Sequence, residues 1–178
     1  VFFGGFASYS LITHDSTSRK IAYEIGQTSL YAGGVTFLLK MAIGRARPYM
    51  EQGTASYHPF SSIFIQDYHS LPGGHSTAAF AISTVLSRNV NPVWLKVLLY
   101  APAVLTSVSR VYQDQHWTSD NFLGAALGYL VATWVVDKHE KTVTSDTKNT
   151  HPGLIEHVQL QPIIMEDSYG LNLSIQLL

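Results

Sequence analysis

Residues 121–136 read NFLGAALGYLVATWVV, sixteen positions without a charge. Phe122, Leu123, Ala126, Leu127, Leu130 and Val131 recur at helical spacing, which predicts a helix with those residues on its inward side. Thr118 or Ser119 stands where a cap for that helix is needed. The uncharged runs Ile25 to Leu39 and Val97 to Ser109 carry the same implication. A membrane-crossing helix needs about 20 mostly apolar residues. These runs are shorter and contain glycine or polar residues. They therefore read as buried helices of a compact all-α bundle, and such a domain is also compatible with resting on a membrane surface.

Further helices lie on either side. THDSTSRK (13–20) follows an uncharged apolar opening and offers Thr13, Asp15, Ser16 and Thr17 as caps for a helix through Tyr23 and Ile25. Leu30 to Arg45 is a second helical stretch, with Val35, Leu38, Leu39 and Ala42 at helical spacing, closed by Pro48. Ser76 to Leu86 is a compact apolar helix. Asn91-Pro92 opens another, expected to run to about Ser109. Residues 49–71 have no clean period and hold Tyr49, Tyr57, Phe60, Phe64 and Tyr68. A loop of that length is either a functional lid or a segment folded down by its own rings.

The pattern changes at Asp137. Residues 137–153 (DKHEKTVTSDTKNTHPG) are polar and are expected to break the helix. LNLSIQL (171–177) alternates with period two, as Val158, Leu160 and Ile164 partly do upstream, and EDSYG (166–170) is a turn signal. This predicts a small C-terminal β-hairpin. The expected organisation is a helical domain at 1–137 and a polar linker with hairpin at 138–178. Eight basic and seven acidic residues fall in the first part, three and five in the second.

Composition removes several functions. The 178 residues suit one domain with an appendage. The formal charge is −1, so no basic surplus exists for a nucleic-acid partner. Charged residues are only 13% and apolar ones 46%, the opposite of a disordered chain. No cysteine is present, which excludes disulfides, zinc–thiolate sites and thiol nucleophiles. The first residue is Val1, which suggests a processed or trimmed chain.

Three segments carry chemistry. In KMAIGRARP (40–48), Lys40 and Arg47 are seven apart, about two helical turns, and would leave one helix face together. That pair is either a solvated basic face or half of an anion site. Arg45 would point elsewhere on the same helix and is left out. In LPGGHS (71–76), Gly73 and Gly74 precede a helix whose free amides suit an anion, and His75 follows. In SRVYQDQHWTSD (109–120), Arg110 stands before His116 and Asp120. These two are i and i+4, so the carboxylate could fix the imidazole tautomer through one ring nitrogen. Three cations with backbone amides suit a tetrahedral dianion. One histidine can attack it and the other can protonate a leaving oxygen.

This pattern resembles the type 2 phosphatidic acid phosphatase superfamily, which includes bacterial acid phosphatases and vanadium haloperoxidases. The signature Lys-x6-Arg-Pro is met by Lys40, Arg47 and Pro48. Pro-Ser-Gly-His appears as Pro72, Gly73, Gly74 and His75. Ser-Arg-x5-His-x3-Asp is met by Ser109, Arg110, His116 and Asp120. Gly73 stands where the family has serine. The missing hydroxyl removes one charge-assisted hydrogen bond, worth roughly 1.5–3 kcal/mol.

The resemblance implies a phosphatase acting on a phosphate monoester or pyrophosphate, either lipid phosphate or soluble ester, without metal or cofactor. His116 would be the nucleophile, Asp120 its orienting group and His75 the general acid. Lys40, Arg47, Arg110, Gly73 and Gly74 would hold the phosphoryl oxygens. It also implies a periplasmic or extracytoplasmic enzyme, with membrane association and oligomer formation left open. The competing readings are a vanadate-dependent haloperoxidase and a phosphate-binding module without turnover. Trp117 is a candidate pocket wall, and His58 and His69 lie where they could touch substrate. His14, His139, His151 and His157 read as surface or structural.

Overall fold

The computed structural model describes residues 16–60 and 65–150, and the strands His157–Met165 and Ser168–Gln176. The chain divides after Asp137 into two compact units. Among the described residues five helices follow in order: α1 (Ser16–Ile43), α2 (Gly74–Arg88), α3 (Val93–Leu98), α4 (Ala101–Tyr112) and α5 (Thr118–Thr150). Short 3-10 turns at Pro48–Met50 and Gln66–Tyr68 punctuate the segment between α1 and α2. Strands β1 (His157–Met165) and β2 (Ser168–Gln176) pair antiparallel, from His157 with Gln176 to Met165 with Ser168. The expected turn at 166–170 is therefore narrower, because residues 168–170 belong to β2.

Several expected boundaries move, each for a local reason. The two helical stretches before Pro48 are one helix, α1, and it ends at Ile43 rather than Arg45. Gly44 adopts φ +61, and its amide donates to the Lys40 carbonyl at 2.9 Å. This is a left-handed C-terminal cap, which a glycine takes without penalty. The expected helix from Asn91 to Ser109 is split at Leu99–Tyr100. Pro102 lies in the first turn of α4, where its missing amide does no harm but its ring forbids continuation from α3. Conversely, α5 does not break at Asp137 but continues to Thr150. No glycine or proline occurs between Gly128 and Pro152, so nothing interrupts it.

Helix α2 is the centre of the first unit. It packs on α1, α3 and α4, and Gly124 and Gly128 of α5 lie against its first half. The apolar core joins Ile21 and Ile25 of α1, Val85 of α2, and Ala132 and Val136 of α5. Hydroxyl residues accompany them inside, and two of them on α2 return their protons to the helix itself. Thr84 Oγ1 donates to the Phe80 carbonyl at 2.7 Å and Thr77 Oγ1 to that of Gly73 at 3.1 Å.

The inward face of α5 is not the expected one. Asn121, Gly124, Gly128, Ala132, Val135 and Val136 are buried, while Phe122 is 78% and Leu130 64% exposed. The same inversion holds on α1, where Ala32 and Thr36 are buried but Leu38 is 64% exposed. Small residues face inward because the backbones run close together. A Cβ on Gly124 would overlap the Gly73 carbonyl oxygen, and one on Gly128 would overlap that of Thr77 and lie 3.0 Å from the Ala81 amide. Glycines four apart allow such an approach, and dispersion between the backbones rewards it.

The same substitution should therefore act with opposite sign at two glycines. Gly128→Ala is expected to destabilise by about 1–3 kcal/mol, because the obstacle is backbone. Gly33→Ala, with nothing within 4 Å of its new methyl, should stabilise by about 0.5–1 kcal/mol through helix propensity. Thermal melts of both variants check this, and a Gly128→Ala variant as stable as the parent would contradict the close packing.

Candidate active site

The site forms where α1 ends and where α2 and α5 begin. Beyond Gly44 the chain is an extended strap, not a helix. Its main chain is held on both sides: Ala46 N donates to Ser56 O at 3.0 Å, Arg47 N to Asp67 O at 3.0 Å, and Ser70 N to Arg45 O at 3.1 Å. Extended backbone alternates its side chains. Arg45 and Arg47 are nonetheless two residues apart and take different partners. Arg47 turns toward Gln115, whose Oε1 accepts from it. The expectation that Lys40 and Arg47 share a helix face fails because Gly44 ends the helix between them.

Arg45 was set aside on the sequence and proves central. It is buried, with its Nη1 paired to Asp120 Oδ1 and 2.9 Å from Ser119 Oγ. Its Nε and Nη2 reach the Thr54 carbonyl at 3.1 and 2.7 Å. The guanidinium also lies over the rings of Tyr57 and Trp117. Asp120 is fully buried, and its second oxygen accepts from Ser70 Oγ and, at 3.1 Å, from the Trp117 amide at the start of α5. That last bond is one arm of a capping box.

Asp120 therefore does not hold the His116 ring, as expected from their spacing. His116 precedes the helix, so the i, i+4 geometry does not apply. Its Nδ1 lies 2.7 Å from the Ser70 carbonyl oxygen. A carbonyl can only accept, so Nδ1 carries the proton and Nε2 keeps its lone pair. Asp120 reaches the histidine only through Ser70.

The other expected residues divide clearly. Lys40 extends along Gly74, with Cε within 3.5 Å of where a Gly74 Cβ would be, and its Nζ donates to the His69 carbonyl. Arg110 on α4 bonds Gln113 at 3.3 Å. The Nε atoms of Arg47 and Arg110 are buried without an acceptor. Gly74 opens α2, so the amides of Gly74, His75 and Ser76 have no acceptor within the helix. Gly73 departs from expectation: its amide donates to the Asp120 carbonyl at 2.8 Å, and its own carbonyl receives Thr77. It has no donor left for an anion.

Electrostatics show how close these groups are. Burial and the charges of Arg110, Lys40 and Arg47 lower the His75 pKa. His116 is lowered to about 4, first by burial, then by Lys40, with Arg47 and His75 contributing and the Ser70 hydrogen bond opposing. Lys40 is lowered to about 8 by burial and by Arg47, against the pull of Asp120. Two imidazoles and three cations thus share one field, and an oxyanion among them would oppose the lowering that the cations cause.

The aromatic segment is folded down by its own rings: His58 stacks on Tyr68 at 4.2 Å, and Tyr49 donates to Asp67. Trp117 donates from Nε1 to the Ala46 carbonyl at 3.0 Å, which makes it a brace for the strap rather than a free wall. His14 and His151 lie outside the described residues, as does Phe64.

Removing the Arg45 charge should strand the Asp120 carboxylate. Arg45→Met is expected to lose about 3–5 kcal/mol, and Arg45→Met with Asp120→Leu to recover most of it. Urea denaturation measures both; a double variant no more stable than the single would refute a dominant pair.

The model of the PAP2 superfamily matches residues 24–143. A lipid A 1-phosphatase of Porphyromonas gingivalis is 34% identical over 110 residues, covering 59% of this chain and 21% of that protein. A lipid A 1-phosphatase of Rhizobium johnstonii is 34% identical over 139 residues, covering 72% of this chain and 54% of that protein. The chain thus spans from about a fifth to just over half of the length of these relatives. The crystal structure of Aquifex aeolicus LpxE shares the fold, with a TM-score of 0.51 at 21% identity over 76% of this chain and 84% of that one.

Proposed function

Because the chain belongs to the PAP2 superfamily, we propose that it hydrolyses a phosphorylated lipid through a phosphohistidine on His116. The observation that carries this reading is the pair of buried guanidinium Nε donors on Arg47 and Arg110 without acceptors. They lie beside Lys40 and the open first turn of α2. Unpaired buried donors are costly, and a phosphoryl group satisfies several at once.

In this mechanism Nε2 of neutral His116 attacks phosphorus while the bond to the leaving oxygen breaks. The Ser70 carbonyl holds the Nδ1 proton and favours the charge that grows on the ring. Lys40, Arg47, Arg110 and the α2 amides hold the three non-bridging oxygens. His75 gives its proton to the departing alkoxide, then takes one from the water that cleaves the N–P bond. Fixed cations supply the neutralisation that a divalent metal supplies in other phosphoryl transfers, so turnover should survive a chelator.

Two features favour a lipid over a soluble ester. An apolar cleft of about 510 Å³ is lined by Phe80, Val104, Val108, Val111 and Phe122, with Asn121 also in its wall. Val111 and Asn121 are next in sequence to Arg110 and Asp120, and the cleft is the apolar space offered here for an acyl chain. The outer surfaces of α4 and α5 are also rich in exposed large apolar side chains, as at a lipid contact. Among the described residues no helix is long and apolar enough to cross a membrane. The relatives named above act, by name, on lipid A.

The pH dependence follows from the two histidines. The nucleophile must be neutral, so activity should be lost as pH falls through about 4. The acid must be protonated, so activity should also fall as pH rises through the lowered His75 value. kcat/KM is thus expected to peak on the acid side of neutrality. His116→Ala should remove turnover. His75→Ala should cost about 10²–10⁴-fold with an alkyl phosphate, and much less with p-nitrophenyl phosphate, whose leaving group needs no proton. A phosphorylated lipid in mixed micelles should exceed a short-chain ester of the same headgroup in kcat/KM. Full activity in His116→Ala, or phosphate binding with no turnover by the parent, would overturn the reading.

A further inference from the structure

We infer that Gly73 and Asn121 form a matched pair, and that Asn121, seated in the space a side chain at 73 would enter, is a positioning residue of the site. This inference rests on the phosphatase reading above. Gly73 has φ −68 and ψ 96, a conformation open to any residue. Its glycine is therefore required by space and not by backbone torsion. A Cβ there would overlap Asn121 Oδ1 and lie 3.1 Å from both Asn121 Cα and the Asp120 carbonyl oxygen. The volume that the serine of the family signature would enter is filled by the Asn121 amide.

That amide is buried and has partners on two other helices. Its Nδ2 donates to the Ser107 carbonyl on α4 at 2.8 Å. Its Oδ1 accepts from Ser76 Oγ, in the first turn of α2, at 2.9 Å. Ser107 Oγ closes the ring by donating to Ser76 Oγ at 2.8 Å. Asn121 thus ties together three elements, each with a site residue one turn or less away: His75 beside Ser76, Arg110 three residues after Ser107, and Asp120 beside Asn121 itself. Both polar atoms of its amide are engaged by Ser76 and Ser107. It acts by fixing where the α2 amides and His75 stand relative to Arg110.

The test is a double-mutant cycle on the full chain, with Gly73→Ser, Asn121→Ala and both. Hydrolysis of a phosphate ester, vanadate affinity and Tm are measured for each. Gly73→Ser alone should lose about 100-fold in kcat/KM, because its new atoms collide with the amide. Asn121→Ala should lose about tenfold in kcat with KM nearly unchanged, a split that mere loosening of the fold would not give. Independent sites would put the double variant near the product of the two losses. Pairing predicts instead that the double variant exceeds Gly73→Ser by at least about tenfold. If Gly73→Ser does not accumulate folded, recovery of folded protein in the double variant is the expected result. Additive losses, or a Gly73→Ser variant as active as the parent, would overturn the pairing. Parent protein without turnover would instead sink the phosphatase reading, and the pairing would then be judged on Tm and vanadate affinity.

Discussion

The ion pair between Arg45 and Asp120 is the constraint on which the site depends. Both groups are buried, and the rest of the site is arranged around their mutual neutralisation. Arg45 fixes the strap that ends in Arg47 and receives the loop through the Thr54 carbonyl. Asp120 caps α5 and holds Ser70, and Ser70 in turn orients His116. A buried pair is rarely a large net source of stability, because desolvation offsets attraction. Its value here is registry: it makes the end of α1, the approach to α2 and the start of α5 a single unit.

The helices carry that unit in an unusual way. Their small residues face one another and much of their bulk faces out. Gly124 and Gly128 let α5 lie against α2 closely enough for the Gly73 amide to reach the Asp120 carbonyl. That backbone contact brings the open turn of α2 beside His116. Larger residues on the inner face would push the helices apart and separate the amides from His116. The packing and the chemistry are therefore set by the same few positions.

Much of the site was legible in the sequence because an oxyanion seat needs particular side chains in a fixed order. Lys40, Arg47, His75, Arg110 and His116 act on one another electrostatically, although Lys40 and Arg47 do not share the helix face that their spacing suggested. Arg45 was missed because the helix was carried through Gly44; a glycine four residues before Pro48 was the available sign of an earlier end. Ser70 left no sign at all, since it orients His116 through a main-chain carbonyl that every residue possesses. The face of α5 was misassigned for a different reason. Periodicity identifies two sides of a helix, and the bulkier side was taken as the inner one. The helical fold was legible too, but the break before Pro102 turns on a proline that is present and the run to Thr150 on glycines and prolines that are absent.

The strap at residues 44–47 has one more consequence. Its flanks at Ser56, Asp67 and Ser70 hold it through main-chain hydrogen bonds, and His58 N closes the Gly44 carbonyl at 2.8 Å. Apart from Gly44, where a Cβ would strike the His58 carbonyl oxygen, such a clasp is nearly indifferent to which amino acids form it. Substitutions can accumulate in the flanking segments over evolutionary time while Arg47 keeps its position. A change in the number of residues there would shift the register of the clasp, so divergence in this region should proceed by replacement far more readily than by insertion or deletion.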